Sequence, residues 1–176
     1  MITIKQGDIT KESVDVIVNA ANTGLKGGGG VDGAIHRAAG PQVMVECRAI
    51  GHCPTGTAVI TGAGNLLAKK IIHTAGPVWN GGSRREPELL RDCYVGSFRL
   101  AKAHGLRTIA FPAISTGVYG YPKREAATIA LNVGIQFEKK FNEIRYLCFT
   151  TEDLQIYQDT YATLRKQPGA DHTCNG

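Results

Sequence analysis

Asn19-Ala-Ala-Asn22-Thr-Gly-Leu-Lys-Gly27-Gly-Gly-Gly30-Val-Asp32-Gly33 is the stretch on which the reading of this chain turns. It follows an apolar run, Asp15 to Ala21, rich in Val and Ile, which reads as a strand buried on both faces of a parallel or mixed sheet. Four successive glycines let the backbone approach a ligand and present its N–H groups, because no Cβ intervenes. A helix is predicted from Asp32 to Ala39, stopped by Gly40-Pro41, and its N-terminus adds a partial positive charge. Phosphate is the natural guest of such a loop. A carboxylate beside a phosphate costs repulsion, so Asp32 points to chemistry as well as binding.

Working outward, the pattern alternates strands with helices. Strands are predicted at Ile2 to Lys5, on a sheet edge, and at Thr57 to Thr61, Lys70 to Thr74, Thr108 to Phe111 and Ile144 to Thr150. Helices are predicted from Pro41 to Ile50, Pro87 to His104 and Lys123 to Lys140, with a closing helix marked by Leu154, Tyr157, Tyr161 and Leu164. This succession predicts one three-layer α/β/α domain over residues 1–167, followed by a flexible tail, 168–176. Ligands in such sheets bind outside the strand C-terminal ends. A second glycine-bearing loop, Ser115-Thr-Gly-Val-Tyr-Gly120, also follows a strand and offers N–H groups and hydroxyls suited to a diphosphate.

At 176 residues, with 43% hydrophobic residues and no membrane-length apolar run, the chain reads as a globular domain without signal peptide or membrane partner. A net charge of +5 favours anionic ligands, but no long basic stripe argues for nucleic acid. The five cysteines form no Cys-x-x-Cys and read as reduced thiols of a cytoplasmic protein. Cys47, His52 and Cys53 match no structural zinc spacing, so no metal site is expected.

Gly28, Gly30 and Gly33 fit G-x-G-x-x-G, which raises a dinucleotide dehydrogenase. Residues Asn22 to Gly27 separate the glycines from their strand, and Asp32 would sit in the pyrophosphate turn. Both features disfavour that reading. No Gly-Lys-Ser or Gly-Lys-Thr is present for a Walker A loop either.

Four segments together resemble a macro domain: Asn19-Ala-Ala-Asn22, Gly27 to His36, His73-Thr-Ala-Gly-Pro77 and Ile114 to Pro122. More narrowly they resemble the MacroD-type ADP-ribosyl hydrolases, which include bacterial O-acetyl-ADP-ribose deacetylases. The resemblance spans Ile2 to Leu164 and implies a mixed, roughly six-stranded sheet with ADP-ribose across its crest. It implies that Asp8 and the Ile9 backbone meet adenine and that Phe149 packs on the ring. Without it, Asp8 is a turn or N-cap residue and Phe149 a core residue. Ser115, Thr116, Gly117, Val118 and Tyr119 would wrap the diphosphate, while Gly28, Gly29, Gly30 and Val31 enclose the distal ribose and second phosphate, with Tyr119 lining that ribose pocket. Asn22 and Asp32 would hold the distal ribose and the attacking water. Asp32 either acts as general base or orients a water activated by the substrate's own phosphate. On sequence alone, Asp32 is also a dipole-favoured helix-start residue and Asn22 an αL turn residue.

Asn19 is expected to brace the loop through backbone hydrogen bonds, within the substrate-binding set. His36 either supports Asp32 or fills the buried face of its helix, the second being the expectation, and His73 is expected to be structural. The implied activity is hydrolysis of esters on the distal ribose, of acetyl-ADP-ribose or of mono-ADP-ribosylated Asp and Glu in proteins, by a monomer without cofactor. Readers that only bind ADP-ribose, and removal of phosphate from ADP-ribose 1″-phosphate, are the rival activities. Retention of an acid at position 32 favours the hydrolase.

Overall fold

The structure, a computed structural model, describes residues 1–167; the expected tail and Cys174 lie outside the described residues. Six strands form one sheet in the order β1-β6-β5-β2-β4-β3: β1 Ile2–Gln6, β2 Val16–Ala21, β3 Ala58–Gly62, β4 Lys70–Ala75, β5 Thr108–Phe111 and β6 Glu143–Cys148. Only β3 runs antiparallel, against β4, so the sheet is mixed as expected. The predicted strands all form, with ends displaced by a residue or two.

Central strand β2 shows why the sheet is covered twice. Its Val16, Ile17 and Val18 are fully buried, and alternate residues point to opposite faces. Val16 and Val18 join the apolar cluster that holds Leu90, Tyr94 and Phe98 of α3 (Glu86–Ala103), Ala126, Ala130 and Val133 of α4 (Lys123–Phe137) and Tyr157 of α5 (Thr151–Lys166). Ile17 joins the opposite cluster, with Ile35 and Ala39 of α1 (Gly30–Ala39) and Val43 and Cys47 of α2 (Pro41–Ile50). Helices therefore cover both faces, α1 and α2 on one and α3 to α5 on the other.

The helix predicted to Lys140 ends as an α-helix at Phe137 and closes with a single 3₁₀ turn, Glu138–Lys140. The Lys123-Arg124 pair at the start of α4 is unfavourable to the dipole, but Lys123 Nζ meets Asp153 of α5 at 2.9 Å, so the compensating anion is the protein's own. Among the described residues no helix is long and apolar enough to cross a membrane.

The parallel strands decide where the site lies. Because β1, β6, β5, β2 and β4 run the same way, the segments after them all emerge at one edge. Asp8 follows β1, Phe149 follows β6, the 115–120 loop follows β5, the glycine run follows β2, and Gly76 to Trp79 follow β4. Three strand spacings separate β1 from β2, roughly 14 Å. That suits an extended ligand laid across the sheet.

Candidate active site

At the β1 end, Asp8 caps a short 3₁₀ turn, Ile9–Lys11. Its Oδ1 accepts from Thr10 N at 2.9 Å and Thr10 Oγ1 at 2.7 Å. These bonds hold the Asp8 carboxyl below its ordinary range, the hydroxyl contributing most. Ile9 is buried beside it. Phe149, next along the edge, is 87% exposed, which excludes a core role. The strand ends at Cys148, and Thr150 immediately caps α5 by accepting from Asp153 N, leaving Phe149 standing out between two elements.

The 115–120 loop is tied by Gly120 N to Gly117 O and by Tyr121 N to Ser115 O. Ser115 takes a left-handed conformation, φ 66°, at a position where non-glycine residues pay strain. Its Oγ is buried and finds no hydrogen-bond partner among the described residues. A Cβ on Gly76 would collide with that Oγ and with Ile114, so only glycine lets β4's exit pass beneath the loop. Val118 stands fully in solvent.

The loop after β2 is built differently. Asn22 Nδ2 donates to Gly27 O at 2.7 Å, and Lys26 N donates to Asn22 Oδ1 at 3.0 Å, closing the loop on a single side chain. Leu25 buries its side chain beneath it. The glycines then lead into α1, whose first amides have no intrahelical partner. Gly33 packs directly on Gly28 O, leaving no room for a Cβ. Asp32 lies on the first turn of α1 and is buried, yet a Cβ placed on Gly28 would lie 3.6 Å from its Oδ2 and 4.0 Å from Asn22 Nδ2. The expected pair thus converges on the backbone of Gly28.

The other Asp32 oxygen is committed inward. Oδ1 accepts from Asn19 Nδ2 at 2.9 Å and lies 3.3 Å from His36 Nε2. Two expectations change here. Asn19 does not brace the loop, a task performed by Asn22. It stands opposite His73 in the β2–β4 register and is fully buried, so its amide serves Asp32 and His73, and its side chain has no surface for a ligand. His36 does more than fill a helix face, because one helical turn brings its ring back to Asp32.

His73 is wholly buried, with Asn19 Nδ2 at 3.1 Å from Nδ1 and Thr61 Oγ1 at 2.9 Å from Nε2. Burial, aided by nearby His36, pushes its pKa down to about 4, so the ring is neutral near pH 7. Cys47 Sγ lies 3.9 Å from Nε2, and burial with the neighbouring Asp32 and Glu46 charges raises this thiol to about 11. It is no nucleophile. His36, Cys47 and His73 offer ligand atoms within 4.8 Å of one another. Both His73 nitrogens already serve the hydrogen-bond chain, so the cluster offers a metal only one unengaged imidazole nitrogen, His36 Nδ1. The Cys47, His52, Cys53 triplet does not assemble, since His52 is exposed while Cys53 is buried against Thr57 O.

A mixed α/β/α sheet whose parallel strands deliver two glycine loops, an exposed aromatic and an oriented carboxylate to one edge defines a domain for an extended, phosphate-bearing ligand. Residues 18–130 match the macro domain family. The chain is 50% identical to the O-acetyl-ADP-ribose deacetylase of Cronobacter sakazakii over 96% of its length and 98% of the relative's. It is 52% identical to that of Escherichia coli K12 over 89% and 93%. Among solved structures it superposes with TM-score 0.89 on the Oceanobacillus iheyensis macrodomain with ADP, 46% identical and covering 93% and 90% of the two chains. With the Trypanosoma brucei macrodomain in complex with ADP-ribose the TM-score is 0.85, at 41% identity over 90% and 68%. This chain belongs to the macro domain family.

Proposed function

We propose that this chain binds ADP-ribose along the sheet edge and hydrolyses esters on its distal ribose. Adenine lies at the β1–β6 end, against Asp8, the Ile9 backbone and Phe149. The diphosphate takes the amides of Thr116 to Tyr119, and the distal ribose reaches Gly28 to Val31 and Tyr119. Water adds to the ester carbonyl beside Gly28, its proton passing to Asp32 or to a substrate phosphate for which Asp32 orients the water. Collapse of the adduct, with that proton returned to the departing ribose oxygen, then releases the carboxylic acid and ADP-ribose. Asn22, with one amide hydrogen unspent, holds the ribose hydroxyls. Such esters need positioning and a base rather than a metal. The substrates are O-acetyl-ADP-ribose and proteins carrying mono-ADP-ribose on Asp or Glu, and the enzyme acts as a cytoplasmic monomer.

One observation carries this reading. A buried carboxylate with Oδ1 pinned inward leaves Oδ2 toward the glycine run, at the opposite end of the ligand track from Asp8 and Phe149. Relatives named O-acetyl-ADP-ribose deacetylases and neighbours solved with ADP or ADP-ribose support it. The test assays O-acetyl-ADP-ribose and a carboxylate-ADP-ribosylated protein side by side, with and without a chelator. Turnover of either, unchanged by chelator, is expected. Tight ADP-ribose binding with no turnover of either would identify a reader instead.

A further inference from the structure

We infer that Asn19 and His73 are positioning residues for Asp32, acting through one hydrogen-bond chain that runs Thr61–His73–Asn19–Asp32. The inference rests on the role given to Asp32 above. Asn19 Nδ2 has only hydrogens to offer and faces both Asp32 Oδ1 and His73 Nδ1, so Nδ1 must accept, while Thr61 Oγ1, 2.9 Å from Nε2 and 2.9 Å from Gly62 O, can accept from the ring and donate to that carbonyl. His73 therefore carries its proton on Nε2 and presents a bare lone pair at Nδ1. That lone pair accepts one hydrogen of the Asn19 amide at 3.1 Å, and the second hydrogen goes to Asp32 Oδ1 at 2.9 Å.

Turning the Asn19 amide over would set its oxygen against both the carboxylate and the imidazole lone pair. Asn19 Oδ1 has no partner of its own among the described residues, so nothing else chooses the amide's orientation. The His73 tautomer, the Asn19 amide and the Asp32 rotamer are one interlocked setting. Asn19 and His73 are fully buried and touch no ligand surface. Their effect is to keep Oδ1 occupied so that Oδ2 faces the glycine run.

Such a device affects turnover and spares affinity. In the full chain, Asn19→Ala and His73→Leu should lower kcat for O-acetyl-ADP-ribose on the order of tenfold to a hundredfold, as expected for one lost hydrogen bond to a charged group. KM and ADP-ribose affinity should stay within about threefold, a change worth well under one such bond. His73→Asn, which returns an acceptor near the Nδ1 position, should recover part of the loss. In an Asp32→Ala background, Asn19→Ala should cause no further fall. Nitrogen-15 spectra of the wild-type imidazoles should show His73 as the Nε2–H tautomer near neutral pH. Equal losses in both backgrounds, parallel losses of affinity and turnover, or an Nδ1–H tautomer would each overturn the inference. Undiminished turnover by Asp32→Ala alone would instead remove the assigned role of Asp32, while the tautomer would still decide whether the chain exists.

Discussion

The two glycine-bearing loops leave neighbouring parallel strands at the same edge, yet they are finished in opposite ways. The loop after β2 is closed by one of its own side chains, with Asn22 tying Gly27 and Lys26; Leu25 is buried, Cys53 N holds Thr23 O from outside, and Asp32 is locked from behind. Each loop carries one left-handed non-glycine residue, Leu25 and Ser115, but the loop after β5 is tied only through its backbone, with the Ser115 Oγ partnerless among the described residues and Val118 fully exposed. Trp79 N to Tyr119 O, at 2.9 Å, is the link that steadies it from outside. Preorganisation sits where bonds would be broken, and unspent donors sit where phosphate would be held. Electrostatic positioning is most effective when no reorganisation is left for the moment of reaction, whereas a phosphate site keeps its donors free until the ligand arrives.

The contrast can be broken from the β2 side first. His73 has a folded pKa of about 4, below its ordinary value near 6.5, so between these pH values the unfolded chain binds more protons. Stability should be complete above about pH 6.5 and fall by about 3 kcal/mol as pH drops toward 4. Urea titrations across that range should show the slope in the wild type and its loss in His73→Leu.

Gly33→Ala comes next. The new Cβ must push Gly28 O away, and a shift of about 1 Å at a reacting centre costs about a hundredfold in turnover. Steady-state kinetics should show this with affinity less affected; full activity would mean the first loop tolerates movement. On the binding side, Phe149→Ala should weaken ADP-ribose by about 2 kcal/mol with the melting temperature unchanged, since the ring is exposed. Calorimetry and a melting curve decide it together. Asp8→Ala has the smallest effect. Loss of the cap costs about 1 kcal/mol of stability, and affinity for ADP-ribose should fall more than that for ribose 5-phosphate. Equal losses would place adenine elsewhere.

Much of this arrangement can be read from local pattern. The Val and Ile run of β2, the glycine turns and the alternation of strands with amphipathic helices depend on neighbours close in sequence. Asp32 stood out because a carboxylate among glycines suited to a phosphate needs a reason. Asn19 was misread because its partner His73 lies on another strand, and only the β2–β4 register brings the two together. Thr61 joins the chain for the same nonlocal reason. The true end of α4 was hidden because charged residues continue the helical pattern while the backbone tightens into a 3₁₀ turn. Glu86 also escaped notice. Burial would raise its pKa, but N–H groups of Asn80, Gly82 and Arg84 converge on its carboxylate and hold it below the ordinary range, shaping the loop after β4.

The central claim is that Asp32 makes this ADP-ribose site a hydrolytic one. The most direct measurement compares wild type and Asp32→Ala in single-turnover hydrolysis of O-acetyl-ADP-ribose, with ADP-ribose affinity measured on the same samples. The account predicts a fall of about 10²- to 10⁴-fold in the chemical step with affinity changed only a few fold. Unchanged turnover in the variant would contradict it.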